Sequence, residues 1–191
     1  MYPQEVEKLP LMDAFLPGVG DWRAGYYNRG IWHFRFYGPT PEALVKSRER
    51  TYFEHFWNDF AADKTRSIPE VDRRAYTEAY ARPNRMAAGF SYFASFQKTA
   101  TDFAELAKTK LAIPVLSIGG AKANSVALGA QAKLVASDVK VIALEDNGSL
   151  DYGRAPEGDH GCACRVPPVN ALAMTDTDIQ AWYSVFARSR S

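Results

Sequence analysis

Asp13 stands where a short apolar run meets a turn. Lys8–Met12 has the length and composition of a buried strand, and Pro17-Gly18 follows closely. Ligands of open α/β sheets sit outside the carboxyl ends of the strands, so a carboxylate there is placed for chemistry. The same side chain can equally serve the turn alone, by accepting backbone hydrogen bonds. His33 lies among Trp32, Phe34 and Phe36, where an imidazole is either packed into a core or held in a site. Tyr92 is flanked by Phe90, Phe93 and Phe96, and Gly89 lies one turn earlier on the same helical face, leaving room for a ligand beside it. His160, Cys162 and Cys164 offer three metal-type ligands within five residues, but no clear fourth. No metal site is expected there. Gly119-Gly120 lacks the third glycine and the spacing of a dinucleotide fingerprint, and reads as a tight turn.

These residues need elements to hold them. Residues 14–40 are rich in Gly, Pro and aromatics and show no sustained helical period. Thr40 is a suitable N-cap with Pro41 at the first helical position, and Leu44, Tyr52, Phe53, Phe56, Trp57 and Phe60 recur at helical spacing to about Ala62. A second helix is expected from Pro69 to just before Pro83, since a residue preceding proline avoids the helical region. A third spans Asn84–Lys98 and a short fourth Thr101–Lys110. The period then changes. Ile113–Ile118 reads as a strand, Ser125–Ala136 as a helix and Val139–Leu144 as a strand. Such a β-α-β unit implies parallel strands and a right-handed crossover. Asn147–Pro168 has no period, and Thr175–Arg188 has the spacing of one amphipathic helix.

Composition narrows the function. The 191 residues carry a net charge of +1, which gives no electrostatic case for nucleic acid or an anionic membrane as partner. No apolar run is long enough to span a bilayer, and no basic segment followed by an apolar stretch marks a signal peptide. The two cysteines, one residue apart, make a poor disulfide framework, so a reducing, cytoplasmic setting is expected.

An acid at a strand tip, a helical insertion, then β-α-β ending in Asp146-Asn147-Gly148 is the order of the second half of an α/β-hydrolase. Tyr2-Pro3, Val6, Leu9 and Met12-Asp13-Ala14, then Trp32-His33-Phe34, Gly89-Phe90-Ser91-Tyr92-Phe93 and Ile113-Pro114-Val115-Leu116 resemble the epoxide hydrolases and related dehalogenases. The resemblance covers roughly residues 1–148 and is to the branch whose triad acid follows the sixth strand. It implies a partial α/β-hydrolase fold, three parallel strands with an inserted helical cap. Residues 1–18 and 111–148 would belong to the core, 19–110 to the cap, and 149–191 to an irregular tail. In that family an Asp nucleophile opens the epoxide to an ester, and a His oriented by an acid activates the water that hydrolyses it. Cap side chains donate hydrogen bonds to the epoxide oxygen. By resemblance, Asp13 is the orienting acid, and His33 and Tyr92 are the cap pair that shares one pocket above it. Trp32, Phe34 and Phe96 would contact a small apolar substrate such as an epoxide, with no cofactor.

The chain departs from that pattern where chemistry is hardest to replace. It contains no Gly-His-Asp-x-Gly nucleophile elbow and no His-Gly oxyanion loop, and Ser149-Leu150 stands where Gly-His-Trp is expected. Ser149–Pro168, back-translated and read one base later, permits a string that begins His-Trp and continues as an amphipathic helix. The sequence thus implies a truncated hydrolase fragment, frameshifted from Ser149, that is inactive by itself. The alternative is a non-catalytic module whose cap binds a small molecule or a partner. An unpaired edge on the first strand would favour self-association and poor solubility.

Overall fold

The computed structural model describes residues 5–61 and 68–144. The Asp146-Asn147-Gly148 end, the tail from 149 to 191 and His160, Cys162 and Cys164 lie outside the described residues. Three parallel strands form one sheet in the order β1 (Leu9–Met12), β2 (Val115–Gly120), β3 (Val139–Leu144). Leu9 pairs with Val115, and Val115 with Val139, so the three strands run in step. β2 is central and buried along its whole length, as expected of a parallel strand covered on both faces. Helix α7 (Ser125–Val135) makes the crossover from β2 to β3. Val115 packs with Ala132 and Ala136, and Leu9, Leu11 and Val139 close round them.

The β2–α7 corner shows why a glycine is needed. A Cβ on Gly119 would lie 2.6 Å from Ser125 Cα and 2.8 Å from its backbone nitrogen. Gly119-Gly120 is therefore the last, tightly covered part of β2, one step earlier than a free turn.

Between β1 and β2 the chain inserts helices α1 (Trp22–Tyr26), α2 (Pro39–Val45), α3 (Glu49–Asp59), α4 (Glu70–Ala81), α5 (Arg85–Ala94) and α6 (Phe96–Leu106). A 3-10 stretch, Arg29–Arg35, carries Trp32-His33-Phe34 within the region that shows no period in sequence. Three expected helices are divided differently. The one expected from Thr40 to Ala62 breaks at Ser47, whose φ of 64° is left-handed. The buried Glu49 stabilises the break by accepting the Ser47 N–H at 3.1 Å. The helices expected at Asn84–Lys98 and Thr101–Lys110 divide at Ser95 instead, whose hydroxyl donates to the Tyr92 carbonyl at 2.7 Å. α4 starts after Pro69 and stops before Pro83, where proline geometry places both limits. Arg50 fastens α3 to α4 through two bonds to the Glu70 carboxylate, at 2.9 and 2.7 Å.

Candidate active-site cleft

Asp13 closes β1 with a φ of 40°, a left-handed conformation that a side chain adopts at a cost. Its N–H donates to the Ile118 carbonyl at 2.8 Å, so the last β2 contact holds it in this posture. The loop beyond it is anchored from α7. Asn124 Nδ2 donates to the Ala14 carbonyl at 2.7 Å. Gln131 accepts from Leu16 N–H at 3.2 Å and donates to the carbonyls of Leu16 and Val19 at 2.8 and 3.0 Å. Gly18, with φ of 84°, presses directly on the Ala100 carbonyl, where a Cβ would overlap it at 2.0 Å. The strand end is thus clamped between α7 and α6.

Over this strand end lies a cleft of about 1150 Å³, bounded by the loop after Asp13, the 3-10 stretch, the end of α3 and the start of α7. Asp13, Trp32, His33 and Phe34 all line it. His33 is buried, 7% exposed, within a collar of aromatic rings. Phe34 and Phe56 each lie 4.8 Å from it between ring centroids, Phe60 5.4 Å and Phe93 5.5 Å, all edge-on. Burial in this apolar collar, and secondarily the nearby His55, lower its pKa from 6.5 to about 4. His33 is therefore a neutral imidazole at physiological pH, with one donor and one acceptor nitrogen. Its Nδ1 is buried without a hydrogen-bond partner.

Tyr92 does not share this cleft. It is 65% exposed and packs only its ring edges against Phe93 and Phe96. The helical period explains this. Phe90 is the most buried aromatic of α5, and Tyr92, two residues on, is turned about 200° away from it. The space at Gly89 faces Tyr80 of α4, 3.5 Å from where a Cβ would stand. Phe96 is buried behind the cleft, against Phe15 at 5.9 Å and Phe34 at 5.0 Å, and supports the wall without lining it.

The cleft also holds a pair that the sequence reading passed over. His55 and Asp59, one turn apart on α3, both line it. His55 Nδ1 lies 2.6 Å from Asp59 Oδ2, while its Nε2 is buried without a hydrogen-bond partner. Trp32 covers the His55 ring at 4.9 Å between centroids. The sequence signal was a His and an Asp at i and i+4 on an aromatic helix. Among the described residues no group of three or more His, Cys, Asp or Glu side chains is placed to hold a metal ion.

No family model matches the chain, and a search of curated proteins gives no match. Solved structures do match. Cfl2 from Burkholderia cenocepacia aligns with 78% of this chain at 24% identity and a TM-score of 0.67. The epoxide hydrolase CorEH, solved without ligand, aligns with 76% of this chain at 22% identity and a TM-score of 0.64. The fold is a partial α/β-hydrolase fold. The chain spans 53% of the length of each of these two structures. In this hydrolase-like frame Asp13 follows a strand end and lines the cleft, and the inserted helices form its aromatic roof. Among the described residues no helix is long and apolar enough to cross a membrane.

Proposed function

We propose that this chain is the cap and the C-terminal part of the core of an epoxide-hydrolase-like enzyme, and that the cleft receives a small apolar epoxide. The observation that carries the reading is the meeting of Asp13 and His33 in one cleft, with the acid held at a strand end and the imidazole held neutral in the inserted helices. A neutral imidazole donates one N–H to an epoxide oxygen, and Trp32 and Phe34 supply an apolar surface for the body of the ligand. Asp13 would orient the imidazole of a catalytic His, which activates water against an ester formed on an Asp nucleophile. The chain carries no nucleophile elbow, so it binds this ligand without turning it over. Tyr92 is left without a part in the binding step, because its phenol lies outside the cleft.

The test is titration of the full chain with styrene oxide, followed through the fluorescence of Trp22 and Trp32, which both line the cleft. Saturable quenching is expected, weakened in H33F and unchanged in Y92F, with no diol formed. Quenching that never saturates would defeat the cleft reading, and diol formation lost in D13N would defeat the claim of inactivity. A second reading, a binding module with no catalytic partner, draws support from the absence of a nucleophile elbow in this sequence. It is separated from the first by adding the N-terminal half of a related hydrolase, which supplies the Asp nucleophile and gives a stoichiometric ester with the epoxide, without turnover, only under the first.

A further inference from the structure

Helix α7 serves two surfaces. Leu128, Gly129 and Ala132 are buried on its sheet side, where a Cβ on Gly129 would lie 2.8 Å from Val141. Ala127, Ala130, Gln131 and Leu134, at the three- and four-residue spacing of one helical face, line the cleft. The Gln131 amide is directed at the backbone of Leu16 and Val19, so this face presents mainly methyl groups to the cleft. Ala127 and Ala130 are exposed to the cleft, and Gly20, Ala24 and Gly25 line it as well. Small side chains on both segments leave a channel that backbone, not rings, bounds.

This channel has two ends. At the start of α7, Asn124 lines the cleft and holds the Ala14 carbonyl beside Asp13. From there to Leu134 the helix rises about 15 Å. Leu134 is the largest side chain of the face. It leans back toward the helix start, over Ala130. It also meets the opposite loop, since a Cβ on Gly20 would lie 2.8 Å from Leu134 Cδ1. The cleft volume of about 1150 Å³ exceeds the roughly 300–1,000 Å³ of pockets that enclose drug-sized ligands. A compact epoxide held at Asp13 therefore leaves much of it to water.

We propose that the α7 wall takes the straight alkyl tail of an epoxide whose ring lies at Asp13, and that Leu134, closing on Gly20, sets the tail length admitted. This rests on the cleft being the ligand site and deepens that reading by naming the body of the ligand. A saturated chain can follow the helix and is held by apolar area alone. Ala130 determines specificity by its small size, and Leu134 by its reach.

The experiment titrates the full chain with 1,2-epoxybutane, 1,2-epoxyhexane, 1,2-epoxyoctane, 1,2-epoxydecane and 1,2-epoxydodecane, followed through Trp22 and Trp32 fluorescence. In the wild-type chain each added CH2 is expected to tighten binding about three- to fourfold, until the tail reaches Leu134 and the gain stops. L134A should carry the gain to longer tails, and A130F should stop it at shorter ones. Both variants should keep the wild-type affinity for 1,2-epoxybutane. A gain that never stops in the wild type, or that stops at the same tail in both variants, overturns the proposal, because unspecific partitioning of the tail would do the same. Binding of 1,2-epoxybutane with no gain along the series overturns the tail channel and leaves the cleft reading intact. Failure of every epoxide to bind the wild-type chain overturns both. If L134A does not fold, A130F, at an exposed position, decides the question through the same series.

Discussion

His33 is where the chemistry of a single residue sets a property of the whole chain. Its folded pKa of about 4 lies below the ordinary 6.5, so folding favours the neutral ring. The unfolded chain then binds a proton that the folded chain refuses, and stability falls as pH drops from about 6.5 toward 4. Below both values the loss is complete and levels off. Two to three pKa units correspond to about 3 kcal/mol. Urea titrations of the wild-type chain and H33Q across this window should show the wild type losing up to that much more stability than the variant. Parallel curves would mean that the ring is not held neutral. His33 was legible in the sequence because it sits inside an unusual aromatic string. Its cleft partner was not, because the link from His33 to His55 runs through Trp32 and Phe56, and depends on how α3 folds back over the 3-10 stretch. Tyr92 shows the converse error. Its neighbours in sequence are buried, but two residues along a helix reverse the facing.

At the scale of elements, the sheet side is strict and the inserted helices are tolerant. The β-α-β unit was readable because apolar runs of strand length alternate with a helix of the right length, and nothing else fits that order. The helix limits at Ser47 and Ser95 were not readable, since they are set by a buried carboxylate and a hydroxyl whose partners are known only from the fold. The strictness can be measured. G119A places a methyl 2.6 Å from backbone atoms of Ser125, which cannot swing aside as a side chain would. Overpacking of this kind costs about 1–3 kcal/mol, visible as a lower urea midpoint at unchanged slope. Gln131 tests the clamp behind Asp13. Q131L keeps the volume and removes three hydrogen bonds, leaving the Leu16 amide and the Val19 carbonyl unsatisfied and the Leu16 carbonyl with the Val19 N–H alone. A loss of about 2–4 kcal/mol is expected, together with new protease cleavage between residues 14 and 20. If Q131L melts like the wild type and resists the protease, α7 is not what holds the strand end in place.

For the whole molecule the governing feature is a sheet that, among the described residues, has two open edges. Within them β1 pairs with β2 alone, and the chain spans 53% of each structure it resembles. An unpaired apolar edge is a template for another strand, so association of copies through β1 is the natural hazard. The hydrogen-bond directions show how far the sequence blunts it. Leu9 N–H donates to Pro114 at 3.0 Å and Asp13 N–H to Ile118 at 2.8 Å, so the odd-numbered amides of this stretch face β2. The even positions, Pro10 and Met12, then face outward. Proline has no N–H, so it takes nothing from the β2 ladder and removes a donor at the middle of the open edge. Met12, 37% exposed, is left as the remaining outward donor of the strand. P10V restores the missing donor with a residue that favours strands, and should raise the average mass by light scattering across a concentration series. Adding M12K to P10V should bring it back, because a charge on the edge opposes a second strand. Neither substituted position lines the cleft, so the folded spectra of P10V and of P10V with M12K should match the wild type. If P10V and the wild-type chain show the same mass at every concentration, association does not run through β1, and the edge at β3 becomes the place to look.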